Sequence, residues 1–366
     1  MTQQQVPTVV GEPNTRDILE SLLEQTTDDL EPISPEQAVQ LYLEDKQREY
    51  RKSTVDAHRS RLRFFTHWCE ENGIDNMNEL TARDLHEYRV WRREGLNVVS
   101  EKTQMDTLRV FIEWCETIDA VQTGLFRKVQ SPSIPEDEGS RETVLHAPRA
   151  ESILEYLAKY EYGSSEHVTW AILVETGIRM GALRALDVDD FRSEADQPHL
   201  TIVHRPDEGT AIKNGTRGER RIGISSKLVT LLYDYLSDRR KDVIDEYDRE
   251  PLVATTHGRV SLSTIRKYIY KWSRPCVIGK ECPHDRTESE CDAANSYDQI
   301  SQCPSSVTPH PIRRGYITRL LQAGVPVDVV SDRCNVSPAI IDQHYDVRSE
   351  EDKMVQRQDV LEKFET

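Results

Sequence analysis

The sequence predicts a mainly α-helical chain with a small β-sheet, organised as two domains joined by a linker. Three observations predict it. Amphipathic segments with helix-start signals recur across residues 33–128, a stretch rich in proline, serine and acid interrupts them within 129–142, and helical periodicity resumes over 143–348 around one pair of strand-like runs. A chain of 366 residues, 37% hydrophobic, is long enough for two packed domains and tails.

Residues 1–32 are polar and carry one short apolar pattern, Ile18, Leu19, Leu22 and Leu23, so they read as a flexible N-terminal arm. Ser34-Pro35-Glu36-Gln37 then joins an N-cap serine, a proline at the first helical position and a capping-box glutamine. Ser53 is expected to open a second helix, with Val55, Leu62, Phe65 and Cys69 on one stripe and His58 among them. Thr81-Ala82-Arg83-Asp84 opens a third, carrying Leu85, Tyr88 and Trp91, and Ser100 a fourth, carrying Met105, Leu108, Ile112 and Cys115. These predict a compact helical bundle. Its polar faces hold many cations, among them Arg48, Arg51, Lys52, Arg59, Arg61 and Arg63, which fit either a phosphate-tracking surface or solvated faces with i,i+4 ion pairs.

Gln130 to Ser140 read as the linker, with a single aliphatic residue. The second domain opens with helical patterns at about 148–160 and 165–175. His199-Leu200-Thr201-Ile202-Val203 and Arg221-Ile222-Gly223-Ile224 predict a β-hairpin, with Asn214-Gly215 as its turn signal. Helices follow. Over 349–366, Ser349-Glu350-Glu351-Asp352 can cap a tail helix with Met354, Leu361 and Phe364 on its apolar side.

Mean hydropathy of -0.66 excludes a membrane protein. The chain shows neither an apolar run near 18 residues nor a charged-then-apolar leader at Met1, so a cytoplasmic location is expected. The net charge of -17 argues, taken alone, against a nucleic-acid partner, which calls for a basic footprint. Arginine outnumbers lysine, however, and the acids are spread along the chain. That pattern fits a surface adapted to a high-salt cytoplasm as well as it fits an ordinary acidic protein. Seven cysteines, an odd number, argue against a disulfide framework. Cys276, Cys282, Cys291 and Cys303 cluster in loop-like sequence with His284, so a tetrahedral structural zinc and free thiols are the two readings.

Three boxes in order carry a family resemblance: Thr176-Gly177-Ile178-Arg179-Met180-Gly181-Ala182-Leu183, then His310-Pro311-Ile312-Arg313-Arg314-Gly315, then His344-Tyr345-Asp346. They resemble the first arginine box, the His-x-x-Arg box and the nucleophile box of the tyrosine recombinases, with the overall pattern most similar to integrases of halophilic archaea. The resemblance spans roughly residues 33–348. It implies a SAM-like core-binding domain over 33–128 and a mixed α/β catalytic domain over 143–348, forming a clamp around double-stranded DNA. It also implies cleavage and rejoining through a 3′-phosphotyrosyl intermediate, with no cofactor required, and a homotetramer on paired DNA sites from a free monomer or dimer. In such relatives the tail docks on a neighbouring protomer; packing in cis is the other reading.

Residue chemistry agrees. A phosphodiester attacked by a phenolate develops charge on its non-bridging oxygens, and two forked, permanently charged guanidinium groups, Arg179 and Arg313, are a suitable clamp. Arg179 follows a Thr-Gly break inside an apolar segment, where an unpaired guanidinium would be costly. Tyr345 is the expected nucleophile and His310 its proton partner. The family's lysine sits on a hairpin turn, a place that Lys213 matches, and it would protonate the departing 5′-oxygen. Two departures leave the sixth active-site position open. Ala182 stands where the family usually has an acid, and Cys334-Asn335-Val336-Ser337 where it usually has Gly-His. Asn335 and His344 are the candidates for a replacement hydrogen bond to phosphate. Leu320 through Tyr345 also reads as helix-turn-helix, which would make the protein a catalytically inactive sequence-specific regulator. A type IB topoisomerase shares the chemistry but needs no paired site.

Overall fold

The computed structural model describes residues 30–134, 143–194, 196–346 and 348–362. The arm pattern at Ile18 to Leu23, most of the linker and Phe364 lie outside these residues. The chain divides into two compact units, 1–141 and 142–366.

In the first unit, α1 (Pro35–Lys46) begins at Ser34 with the expected capping box: the serine hydroxyl accepts from Gln37 N and the Gln37 carboxamide accepts from Ser34 N. Helix α2 (Lys52–Glu71) starts one residue before Ser53, with Arg51 at the N-cap position and no side-chain cap. The serine therefore lies inside the helix. Helix α3 (Ala82–Arg92) has its Thr81–Asp84 capping box, whereas α4 (Val98–Glu116) is capped by Asn97, whose side chain accepts from Ser100 N. Asn97 outcompetes Ser100 because three further apolar-compatible residues extend the helix backwards to a cap of equal quality. The core is aromatic at its centre, with Tyr42, Phe65, Tyr88 and Phe111 buried edge to face. His58 packs against Tyr42, whose hydroxyl it meets at 2.8 Å, so it is a satisfied core histidine. Several of the bundle's cations are spent inside it: Arg61 donates to Thr107 and Arg89 to Glu101. Arg48, Arg51, Lys52, Arg59 and Arg63 are exposed. Arg109 holds the Val129 carbonyl and Ser131, so the first residues of the expected linker belong to the bundle.

In the second unit, α5 (Ala147–Tyr160) and α6 (Ser165–Thr176) match the expected helices, and α7 (Met180–Ala185) follows. Helix α6 is apolar nearly all round, with His167, Val168, Trp170, Ile172, Leu173 and Val174 buried, which makes it the central core helix. A three-stranded antiparallel sheet comes next, in the order β1 (Phe191–Arg192), β2 (His199–Ile202), β3 (Arg220–Gly223), with Leu200 opposite both Phe191 and Ile222. The expected hairpin is there with a third strand added, but Asn214-Gly215 does not close it directly. Residues 203–219 form a long excursion in which both turn residues adopt left-handed backbone. After α8 (Ser226–Asp234), the short pair β4 (Ala254–Thr255) and β5 (Gly258–Arg259), α9 (Leu262–Trp272) and α10 (Asp292–Asn295) comes the functional end: α11 (Pro309–Gln322), α12 (Val327–Cys334), α13 (Pro338–His344) and α14 (Glu350–Glu362).

Helices α11 to α13 share a small core of Tyr316, Ile317, Leu321, Val330, Cys334, Val336, Ile341 and Tyr345. The segment read as helix-turn-helix thus buries Val330, Val336 and Ile341 around Tyr345, while Val329 and Ile340 are exposed. Tail helix α14 rests on the unit through polar contacts, Gln356 to the Leu321 carbonyl and Lys353 to Asp346, while Met354 and Leu361 are exposed.

Candidate active site

Each member of the site is fixed by a local rule of chain geometry. Helix α6 ends at Gly177, whose left-handed φ of 61° no side chain adopts cheaply, and a Cβ there would meet the Tyr316 ring at 2.3 Å. That close approach lays the end of α6 on α11 and turns the chain so that Arg179 stands just before α7. Gly315 does the same on the other side of α11, where a Cβ would lie 2.1 Å from the Leu145 carbonyl oxygen.

Arg313, on α11, is 2% exposed. Its Nη1 donates to the Gly177 carbonyl oxygen at 2.8 Å, while its Nε and Nη2 are buried with no hydrogen-bond partner. Arg179 donates from Nη1 to the Asn335 carbonyl oxygen at 2.8 Å. Burial and the neighbouring Arg313 charge hold its guanidinium down to about 10, against the pull of Tyr345. None of the ion pairs among the described residues involves Arg179 or Arg313, so the positive charge there is uncompensated. Tyr345, at the end of α13, is 5% exposed, and its hydroxyl lies 3.3 Å from His310 Nε2. Burial, then Arg313, Arg314 and Arg179, lower the His310 pKa from its ordinary value. The imidazole is therefore neutral at neutral pH and able to accept the phenol proton.

Arg179, His310, Arg313 and Tyr345 thus converge as the sequence predicts. Lys213 is exposed on the excursion between β2 and β3, its carbonyl oxygen accepting from Asn335 Nδ2 at 3.3 Å. Arg220, which sequence reasoning missed, joins the cluster from β3. It donates to the Arg333 and Gly218 carbonyls and is held down to about 10 by burial and then by Arg313. Its only sequence signal was an arginine leading into the return strand. Ala182 packs in the main core and Val336 in the small one, so neither supplies a polar group. The Asn335 side chain bonds to Lys213 and Asn214, and His344 is half-buried near His310.

Cys276, Cys282, Cys291, Cys303 and His284 line one small cavity, and the four thiols are free. Among the described residues no three His, Cys, Asp or Glu side chains stand together so as to hold a metal ion. The loop is fastened by other means: Arg149 donates to the Ser273 and Ser305 carbonyls, Arg274 to the Ala293 carbonyl, and Ile300 and Val307 are buried. The sequence reading, which saw only loop-like sequence here, missed these two arginine hubs.

A phenol beside a neutral imidazole, near one buried and one half-buried guanidinium that lack a carboxylate partner, is an arrangement able to take up an oxyanion next to a phenol that can lose its proton. Comparison with known proteins agrees. Residues 143–346 match the phage integrase family and residues 39–117 its N-terminal SAM-like domain, so the chain belongs to the phage integrase family. It is 26% identical over 227 residues to tyrosine recombinase XerC 2 of Ralstonia nicotianae, covering 57% of this chain and 58% of the length of that relative. Among solved structures, a lambda integrase dimer bound to a COC' core site is similar with a TM-score of 0.59 at 14% identity, covering 89% of this chain and 81% of that one. The Tn1549 transposon integrase in complex with a circular intermediate DNA is similar with a TM-score of 0.63 at 14% identity, covering 88% and 99%. The shared fold is a mainly helical one, with a SAM-like domain ahead of the catalytic domain.

Proposed function

We propose that this protein is a site-specific DNA recombinase that cleaves and rejoins duplex DNA through Tyr345. The observation that carries the reading is Arg313: a guanidinium 2% exposed, with two donors unpartnered, beside Arg179 and opposite Tyr345. An arginine buried this way is stable only where an anion completes it, and a DNA phosphate is the anion that a tyrosine nucleophile attacks. In the reaction the Tyr345 oxygen bonds to phosphorus as its proton passes to His310. Arg179 and Arg313 stabilise the charge on the non-bridging oxygens, and the 5′-oxygen departs with a proton from Lys213. The phosphotyrosyl bond keeps the energy of the cleaved one, so rejoining needs no cofactor. Assembly as a homotetramer on paired sites follows, since each exchange breaks strands in two duplexes; a lambda integrase tetramer bound to a Holliday junction has the same fold. The exposed Met354 and Leu361 of α14 support tail docking between protomers.

The test is incubation with a library of nicked suicide duplexes at low and molar salt, scoring a covalent protein–DNA band. The band is expected to appear and to vanish in Tyr345→Phe. Sequence-selective binding without a covalent band would identify a regulator, and a band indifferent to sequence, with relaxation of supercoils, a topoisomerase.

We also propose the four-cysteine loop as the place of a structural zinc, because Cys276, Cys282, Cys291, Cys303 and His284 all line one cavity and the four thiols are free. Zinc content of the purified protein near one equivalent, lost in Cys282→Ser, is the expected result; equal content in both proteins would remove the assignment.

A further inference from the structure

We infer that Asn335 is a positioning residue that latches the Lys213 loop to the arginine shelf. It ends α12 in left-handed backbone, φ 50°, a region that asparagine enters more cheaply than other residues with a side chain. In that conformation its carbonyl oxygen receives Arg179 Nη1 at 2.8 Å. Its carboxamide meets the excursion that follows β2: Nδ2 donates to the Lys213 carbonyl oxygen at 3.3 Å and Oδ1 accepts from Asn214 Nδ2 at 2.9 Å. Gly218 closes the same contact, since a Cβ there would lie 2.5 Å from the Lys213 carbonyl oxygen and 2.8 Å from Asn335 Nδ2. One residue therefore ties the phosphate-clamping arginine to the backbone of the lysine, from a position 122 residues away in sequence.

The tie matters because of what a lysine is. Its ammonium rides on a flexible four-carbon stem, so the protein controls where it acts mainly by fixing the backbone from which it swings. The rest of the loop is fastened elsewhere: Arg205 to Asp187 and Asp190, Glu208 and Thr210 to Arg249, Ile212 N to His204, and His204 N to Glu219, while Arg220 at the start of β3 donates to the Arg333 carbonyl of α12. Asn335 is the bridge from the lysine's own peptide to the site.

This inference rests on the reading of Lys213 as the proton donor to the departing 5′-oxygen, and the experiment separates the two. Single-turnover cleavage is measured on a suicide duplex with its natural phosphodiester and on one whose bridging 5′-oxygen is sulfur. The sulfur leaves as a thiolate and needs no proton, so a variant impaired only in protonating the leaving group recovers on the sulfur substrate. Asn335→Gly keeps the left-handed turn and the carbonyl that Arg179 uses, and removes only the carboxamide. It is expected to cut the oxygen substrate about tenfold more slowly, against about a hundredfold or more for Lys213→Ala, and both are expected to recover to within about twofold on sulfur. Gly218→Ala, which forces the same contact apart, should behave like Asn335→Gly. If Lys213→Ala stays slow on sulfur, the proton-donor reading fails. If Lys213→Ala recovers while Asn335→Gly does not, or if Asn335→Gly is not slowed on oxygen, the latch is overturned.

Discussion

The second unit holds two groups of buried and half-buried arginines, and they are built in opposite ways. Near β4 and β5, Arg205, Arg249 and Arg259 interleave with Asp187, Asp190 and Asp245: Arg259 bridges Asp187 and Asp245, Arg249 reaches the same two, and Arg205 reaches Asp187 and Asp190. Burial pushes the Asp245 carboxyl up, but the Arg259 guanidinium and the backbone N–H groups of Tyr247 and Arg249 hold it down to about 2. At the other end, Arg179, Arg220 and Arg313 meet carbonyl oxygens and one another, and Arg313 keeps two donors unpartnered. The first group is a closed account of charge and the second an open one. The comparison teaches that burial of arginine is not in itself a functional signal; what marks Arg313 is burial with neither a carboxylate nor partners for two of its donors.

The largest effect expected from breaking this contrast is at the open cluster. Arg313→Ala should lower the rate of covalent complex formation by about a thousandfold, about 4 kcal/mol in the barrier, while leaving thermal stability unchanged or raised, because an uncompensated buried charge is removed. Cleavage kinetics and a melting curve on the same preparation check both halves. The mirror experiment is Arg259→Ala, which removes the guanidinium that bridges Asp187 and Asp245 and leaves them to Arg249 and Arg205; a loss of about 2 kcal/mol in denaturant unfolding is expected, with cleavage per folded molecule retained.

A smaller effect sharpens the account of the open cluster through pH. The His310 pKa is lowered in the folded protein, so its neutral, proton-accepting form persists below the ordinary histidine value of 6.5 and is lost only as pH falls through the depressed value. Cleavage should therefore hold as pH falls past neutrality and drop at lower pH. The same group contributes stability that is fully present above 6.5 and lost on acidification, because the unfolded chain takes up that proton first. His310→Gln should remove the acid limb of the cleavage profile at a cost of about a hundredfold in rate. The smallest effect lies in the other unit: Thr81→Ala, which removes one capping box, should cost about 1 kcal/mol in unfolding and leave the chemistry alone.

Local rules carried the reading of the sequence where local chemistry decides. Ser34, Thr81 and the Gly177 break mark helix ends in the structure because a cap or a left-handed turn is settled within a few residues. Ser53 and Ser100 misled for the same reason in reverse: a serine signals a cap only when no better start lies upstream, and Asn97 was one. The excursion between β2 and β3 extends well beyond its Asn214-Gly215 turn signal, since Asn-Gly specifies left-handed backbone but not how far the strands extend to meet it.

By itself the sequence determined the helical class, the order of the three boxes and the four residues that meet, Arg179, His310, Arg313 and Tyr345. Only the tertiary structure decided which arginines carry a counter-charge, that Arg220 joins Arg179 and Arg313, and that the Asn335 carboxamide bonds to the Lys213 loop. The physical reason is that residue type fixes what a side chain can donate or accept, whereas satisfaction of a buried donor depends on groups more than a hundred residues away, brought together only when the core closes.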